Sequence, residues 1–353
     1  MKKTSAKNSG TQPMYQRIRS GLLELIEQEK LQRHAKLPSE SQLQRQYHAS
    51  VGTVRKALAD LEAENVIYRR HGQGAFVASR GRKHTIAIVS SFGVKDDAMM
   101  DDCIHFVMGA LEEANFHDLP YIPVVMRLDE LQANIQDIKM IYPELGGIIF
   151  FRSYTSISLL ADTLKRQQLP TLYYGPNIYS GMEPLSAVLC SDERAMVEAM
   201  ADHYAKRKYR NAILVEDELE IGTIRCQMMS EALKKRGISS LRFHYSDLLV
   251  PETLCSLIGN YDVLFAPFSR IAIPLIQILE RDLGFRIPRD IAVSGIDNIT
   301  PAAVLRPSLT VIDLCNHKNG ARAIRFFSEH EGSVFNECFR MNADFELIVR
   351  ESC

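Results

Sequence analysis

The chain has 353 residues, of which 46% are hydrophobic and 24% charged. That is too long for one ordinary core and calls for two or three folding units, while no apolar run reaches the 18 or so residues a membrane-spanning helix needs, so no membrane partner is expected. The net charge of −1 hides an asymmetry: residues 1–80 hold 14 Lys and Arg against 7 Asp and Glu, and the remainder holds 28 against 36. A basic head on an acidic body predicts that only the head approaches a polyanion. The seven cysteines show no CxxC or Cys/His ligand spacing, so reduced thiols are expected, with neither metal nor cofactor. The basic start lacks the apolar core of a secretory signal, which makes the expected location cytoplasmic.

After a polar tail (residues 1–12), Tyr15, Ile18, Leu22, Leu25 and Ile26 recur at helical spacing and predict an amphipathic helix over 14–30. Ser39-Glu40-Ser41-Gln42 reads as a capping box that starts a second helix carrying Leu43 and Tyr47. Ser50 caps a third helix, with Val54, Ala57, Leu58 and Leu61 on one side and Thr53, Arg55 and Lys56 on the other. Two β-prone runs, 66–70 and 75–78, flank His71-Gly72-Gln73-Gly74 and predict a hairpin with Arg69 and Arg70 near its tip. Three helices followed by a small hairpin make a winged helix-turn-helix over 13–79, whose third helix would lie in the major groove of double-stranded operator DNA.

From Thr85 the pattern changes, after a polar linker at 80–84. Apolar runs at 86–89, 122–126, 147–151, 171–174, 212–215, 263–266 and 291–294 read as buried parallel strands. Helical patterns at 103–115, 193–206, 224–236 and 271–283 lie between several of them. A strand at 309–312, a helix at 315–327 and a late strand pair at 339–341 and 345–349 close the chain. This is an α/β fold, and 85–353 is long enough for two similar lobes with a cleft at the carboxyl ends of their strands. Asp297 follows one buried strand, where it either opens onto the cleft or caps the turn before Pro301. Ser91, Phe92, Arg152, Tyr174 and Asn177 are further strand-end candidates for ligand contact. Asp96/Asp97 and Asp101/Asp102 fall in polar stretches and are expected to be solvated. No nucleophile elbow, Walker loop or metal-ligand spacing is present, so an enzyme is not expected.

Two stretches also match known families. Residues 14–77 resemble the GntR family through Leu37-Pro38-Ser39-Glu40, Ser50-x-x-Thr53-Val54-Arg55-x-Ala57-Leu58 and Gly72-x-Gly74-x-Phe76-Val77. That resemblance implies a DNA face of Ser39, Ser50, Thr53 and Arg55 with the glycine wing tip Gly72 and Gly74. Many relatives carry arginines where this chain has Ser41 and Val51, which leaves its operator sequence open but not DNA binding itself. Residues 85–353 resemble the LacI-type sensor domain, related to periplasmic sugar-binding proteins, through Gly295-Ile296-Asp297-Asn298 and Pro307-Ser308-Leu309-Thr310 among other pieces. It implies that Arg225 points into the cleft. At the position of the family's other ligand aspartate stands Ser269 with Arg270 beside it, which favours a sugar acid or sugar phosphate beside a plain sugar. The combination is similar to the arabinose-repressor type of regulator, and the expected protein is a homodimeric, effector-controlled repressor. The alternatives are a regulator whose sensor only dimerises and a cytoplasmic small-molecule-binding protein.

Overall fold

The computed structural model describes residues 13–29, 31, 35–64, 66–70, 74–77, 84–90, 97–117, 119–152, 157–177, 185–330 and 338–353. By their contacts the residues form two compact units, Met1–Lys83 with Phe116–Pro120 and His84–Asn115 with Tyr121–Cys353.

In the first unit α1 (Met14–Gln28), α2 (Glu40–Tyr47) and α3 (Val51–Ala63) precede a hairpin of β1 (Ile67–Arg70) and β2 (Gly74–Val77). The expected capping box is formed: Ser39 Oγ accepts from the Gln42 amide and Gln42 Oε1 accepts from the Ser39 amide. α2 stops because His48 turns left-handed (φ 50°), and two residues later Ser50 caps α3. The four apolar positions foreseen on α3 are buried against Ile18, Leu22 and Ile26 of α1, Leu43 of α2 and Ile67 and Val77 of the hairpin, in one core. The segment before α2 also joins the wing, since the Leu37 amide donates to Ala75 and the Val77 amide to Ala35.

The second unit has two six-stranded sheets. The first lobe uses β3 (His84–Ser90), β4 (Tyr121–Arg127), β5 (Leu145–Phe151), β6 (Thr171–Pro176) and β7 (Ala187–Ser191); the second uses β8 (Asn211–Glu216), β9 (Ser239–His244), β10 (Val263–Phe265), β11 (Ala292–Ile296) and β12 (Thr310–Asp313). The last two strands, β13 (Phe339–Asn342) and β14 (Glu346–Ile348), do not pair with each other as expected. β13 joins the first sheet parallel to β7, and β14 joins the second antiparallel to β12. The chain therefore passes between the lobes after β7, after β12 and between β13 and β14. His84, expected in the linker, already opens β3, and residues 80–83 lie outside the described residues.

Two elements were missed for a physical reason. β9 is an edge strand with little buried surface, so it carries no apolar run, and β7 is short and follows a polar stretch. The helix foreseen at 271–283 is α-helical over Ser269–Gln277 and continues as a π-helical turn, Ile278–Asp282.

In the first lobe the helix Asn316–Glu329 crosses the helix Asp97–Phe116 at two glycines. A Cβ on Gly320 would stand 1.9 Å from the Phe106 carbonyl oxygen, and one on Gly109 would stand 1.8 Å from that of His317. Both obstacles are backbone, which cannot rotate aside. Gly320→Ala is expected to lower the stability of this unit by about 1–3 kcal/mol or more, as overpacking does. A urea midpoint equal to the wild type's would show that the two helices can part at no cost.

Candidate DNA-binding face and effector cleft

Within the first unit, Ser39, Glu40, Arg55, Glu62, Arg69, Arg70 and Gly74 line one groove between α2, α3 and the hairpin. It brings together five of the residues expected on the DNA face. Two of the cations are paired: Arg55 Nε donates to Glu40 (3.0 Å) and Arg69 to Glu62 (2.5 Å). These pairs are exposed, and such pairs contribute about 0–1 kcal/mol, so phosphate or a base edge can displace the carboxylates cheaply. Arg70 lies over the stacked rings of Tyr68 and Phe76, 5.5 and 5.8 Å from their centroids.

Ser50 and Thr53 are bonded to each other at the start of α3 (2.8 Å) and lie outside the groove lining. Lys56 was expected on the DNA face and is not there. Its ammonium sits 4.1 Å from the ring centroid of Tyr15 on α1, a cation–π contact on another side of α3. Gly72 lies outside the described residues, and Gly74, at φ 107°, holds a backbone that side chains rarely adopt.

In the second unit a cleft opens between the lobes at the carboxyl ends of the strands. Asp102, Arg152 and Pro176 face it from the first lobe. Leu219, Ile221, Arg225, Phe268, Arg270, Asp297 and Ile299 face it from the second. Among the residues expected at the ligand, Arg152, Arg225 and Asp297 meet here.

The others do not line it. Ser269 is fully buried and its hydroxyl donates to the carbonyls of Ile296 (3.0 Å) and Asp297, so it ties a helix start to the β11 loop. Tyr174 is buried beneath the cleft, stacked on Phe106 (4.7 Å between centroids), and its hydroxyl donates to Asn316 Oδ1 (2.7 Å). Asn177 is exposed outside the lining. Ser91 and Phe92 lie outside the described residues.

Asp102 corrects the expectation of a solvated carboxylate. It is 4% exposed, accepts from Arg152 Nη1 (2.8 Å) and from Asn316 Nδ2 (2.7 Å), and no apolar neighbour pattern in the sequence marks it. Asp101 crosses between the lobes, accepting from the Thr300 amide (2.8 Å) and hydroxyl (3.1 Å). Arg152 Nη1 is also 3.8 Å from Asp297 Oδ1, too far to donate, and that buried oxygen has no hydrogen-bond partner. Burial pushes the Asp102 carboxyl up to about 7 against the opposing pull of Arg152, and it raises Asp297 as well.

Arg225 has a structural partner in addition to its place in the lining. Its Nε donates to the buried Glu193 (2.7 Å), whose other oxygen accepts from Ser191 Oγ (2.8 Å), and its Nη1 donates to the Pro267 carbonyl (2.9 Å). Removing that guanidinium leaves a buried carboxylate uncompensated, a loss of about 3–5 kcal/mol. Arg270, noted in the sequence only as the neighbour of Ser269, lines the cleft where Ser269 does not, and it pairs with Asp217 (2.7 Å). Phe268 carries both guanidinium groups against its ring, 5.0 Å from Arg225 and 4.8 Å from Arg270.

Comparison with known proteins finds matches for both units. Residues 14–77 match the model of the gntR family of bacterial regulatory proteins, and residues 201–353 match that of the periplasmic binding protein-like domain. The probable fructoselysine utilization operon transcriptional repressor of Escherichia coli is 38% identical over 81 residues, 23% of this chain. The chain spans about a third (33%) of the length of that curated relative. The arabinose metabolism transcriptional repressor of Geobacillus stearothermophilus is 24% identical over 330 residues, 86% of each chain. A LacI family regulator from Weissella paramesenteroides, solved with bound sucrose, superposes with a TM-score of 0.59 at 16% identity over 76% of this chain and 98% of its own. Residues 14–77 are thus similar to the gntR family of regulatory proteins, residues 201–353 to the periplasmic binding protein-like domain, and the second unit has the two-lobed fold of LacI family regulators.

Proposed function

We propose that this protein is a transcription repressor that binds operator DNA through the α2–α3–hairpin groove and is controlled by a sugar or sugar-derived effector held between the two lobes. The observation that carries the reading is Asp297 in the cleft lining, whose buried Oδ1 has no hydrogen-bond partner. A buried acceptor left unmade costs about 1–3 kcal/mol, and a hydroxyl supplied by a ligand removes that cost. The repressor names of the two relatives and the sucrose in the LacI-type structure support the same reading. An enzymatic role gains no support from the comparisons, whose named relatives are transcription regulators. A cytoplasmic location follows from this role.

Effector binding across both lobes favours the closed arrangement by its differential affinity for closed over open. We infer further that the protein works as a homodimer on a two-fold-related operator, because one winged helix reads only a few base pairs. The exposed Met100, Ile104 and Met108 recur every four residues on the helix Asp97–Phe116. Ile122, Val124 and Val125 are exposed on the edge strand β4 of the same lobe. An apolar surface of this kind suits a second copy of the chain.

Arg55→Ala is expected to weaken specific operator binding by about 1–3 kcal/mol with the fold intact, read in a salt-controlled binding assay. An unchanged affinity would remove α3 from the base-reading role. Asp297→Asn is the milder cleft variant, as it leaves Glu193 paired. It should lose the effector response by tenfold or more in ligand concentration while binding operator as the wild type does. A wild-type response would place the effector elsewhere. Sedimentation should give a dimer both free and on DNA, and a monomer in both states would refute the dimer.

A further inference from the structure

Resting on the reading of the cleft as the effector site, the geometry points to the chemistry of the effector. Each arginine at the Phe268 ring keeps donors to spare. Arg225 commits Nε and Nη1, leaving Nη2; Arg270 commits only Nη2, leaving Nε and Nη1, with no other hydrogen bond to them among the described residues. Their carboxylate partners, Glu193 and Asp217, are absent from the cleft lining, whereas both guanidinium groups belong to it.

The lining therefore presents three arginines against two carboxyls, Asp102 and Asp297. The wall facing a ligand thus carries one guanidinium more than it has carboxyls, and burial raises the pKa of both carboxyls. Arg270 also stands in the first turn of the helix Ser269–Gln277, whose positive end adds to the same field. Between the arginine pair and Asp297 the wall is apolar, formed by Phe268, Ile221 and Ile299. A neutral polyol would leave these cationic donors unmatched, and a planar, multi-donor guanidinium pair suits an oxyanion.

We propose that the effector is an anionic sugar derivative whose carboxylate or phosphate monoester is received by Arg270 and Arg225 beside the Phe268 ring, while a hydroxyl of the same molecule donates to Asp297. Arg270 is the residue that separates the charged effector from its neutral parent. It is part-exposed and paired through a single nitrogen, so it can be replaced with little loss of fold.

The test uses the full-length protein with two matched sets, glucose, glucuronate and glucose 6-phosphate, and arabinose, arabinonate and arabinose 5-phosphate, in calorimetric titration and operator-release assays. At least one anion should bind tenfold or more tighter than its neutral parent and release operator. Arg270→Gln should lose tenfold or more in affinity for that anion, keep wild-type affinity for the neutral parent, and bind operator normally when ligand-free. Carboxylate and phosphate arms tell the two sources of negative charge apart. Equal or tighter binding by the neutral parent, or an Arg270→Gln protein with undiminished anion affinity, overturns the inference and leaves the effector cleft standing. Binding by neither set overturns the inference together with the assignment of the cleft to these effectors.

Discussion

One guanidinium has to serve two buried carboxyls. Arg152 and Asp102 belong to the first lobe and Asp297 to the second, and all three lie at the cleft. Taking a carboxylate out of water costs several kcal/mol, and a single arginine 2.8 Å from one and 3.8 Å from the other cannot compensate both. Hence the two carboxyls hold protons more tightly than exposed ones, and one oxygen goes unbonded. The backbone pays as well: Arg152 (φ 52°) and Asp297 (φ 80°) both sit in the left-handed region that side chains seldom occupy. A cleft built this way leaves one acceptor for a ligand to satisfy, which fits the ligand-dependent switch proposed above.

Around that incomplete centre the lobes are well determined. Asn319 is fully buried and ties two of the passages between the lobes together, donating to the carbonyls of Leu314 (2.8 Å) and Asp344 (2.9 Å) and accepting from the Asp344 amide (3.0 Å). Arg322 adds bonds to Asn342 O (2.7 Å) and the Asp344 carboxylate (2.8 Å). The close helix crossing at Gly109 and Gly320 fixes the first lobe internally. With the interiors and the passages this constrained, the polar contacts Arg152 with Asp297 and Asp101 with Thr300 join the lobes near the cleft. Ligand energy spent there is spent on the relation between lobes and not on deforming them.

The sequence made the framework legible wherever burial was one-sided and periodic. Val54, Ala57, Leu58 and Leu61 on α3 and the runs of β3, β5, β6, β8, β10 and β11 announce themselves because their environments are apolar. β9 was silent because an edge strand needs no such run, and β13 and β14 were seen but wrongly joined, since adjacency in sequence says nothing of which sheet each edge will complete. At the site, Arg225 and Asp297 were found through motifs, whereas Asp102 was read as solvated because an acidic pair in a polar stretch looks the same whether it faces water or a buried arginine. Lys56 was placed on the DNA face by helical position alone; a tyrosine on α1, distant in sequence, decided otherwise.

The energies of the two ends can be compared. The exposed pairs Arg55–Glu40 and Arg69–Glu62 hold the cations of the proposed DNA groove weakly, so little would be lost if they turned to phosphate or base. At the other end, one hydrogen bond supplied to Asp297 Oδ1 is worth about 1–3 kcal/mol, because that buried oxygen otherwise has no hydrogen-bond partner. If most of that bond exists only when both lobes surround the ligand, it appears as differential affinity and sets an upper bound on what this contact can transmit. The bound corresponds to roughly ten- to hundredfold, the span typical of coupling between sites. A single unsatisfied oxygen is thus large enough to shift an operator equilibrium by a useful factor, and small enough that the protein folds without its ligand.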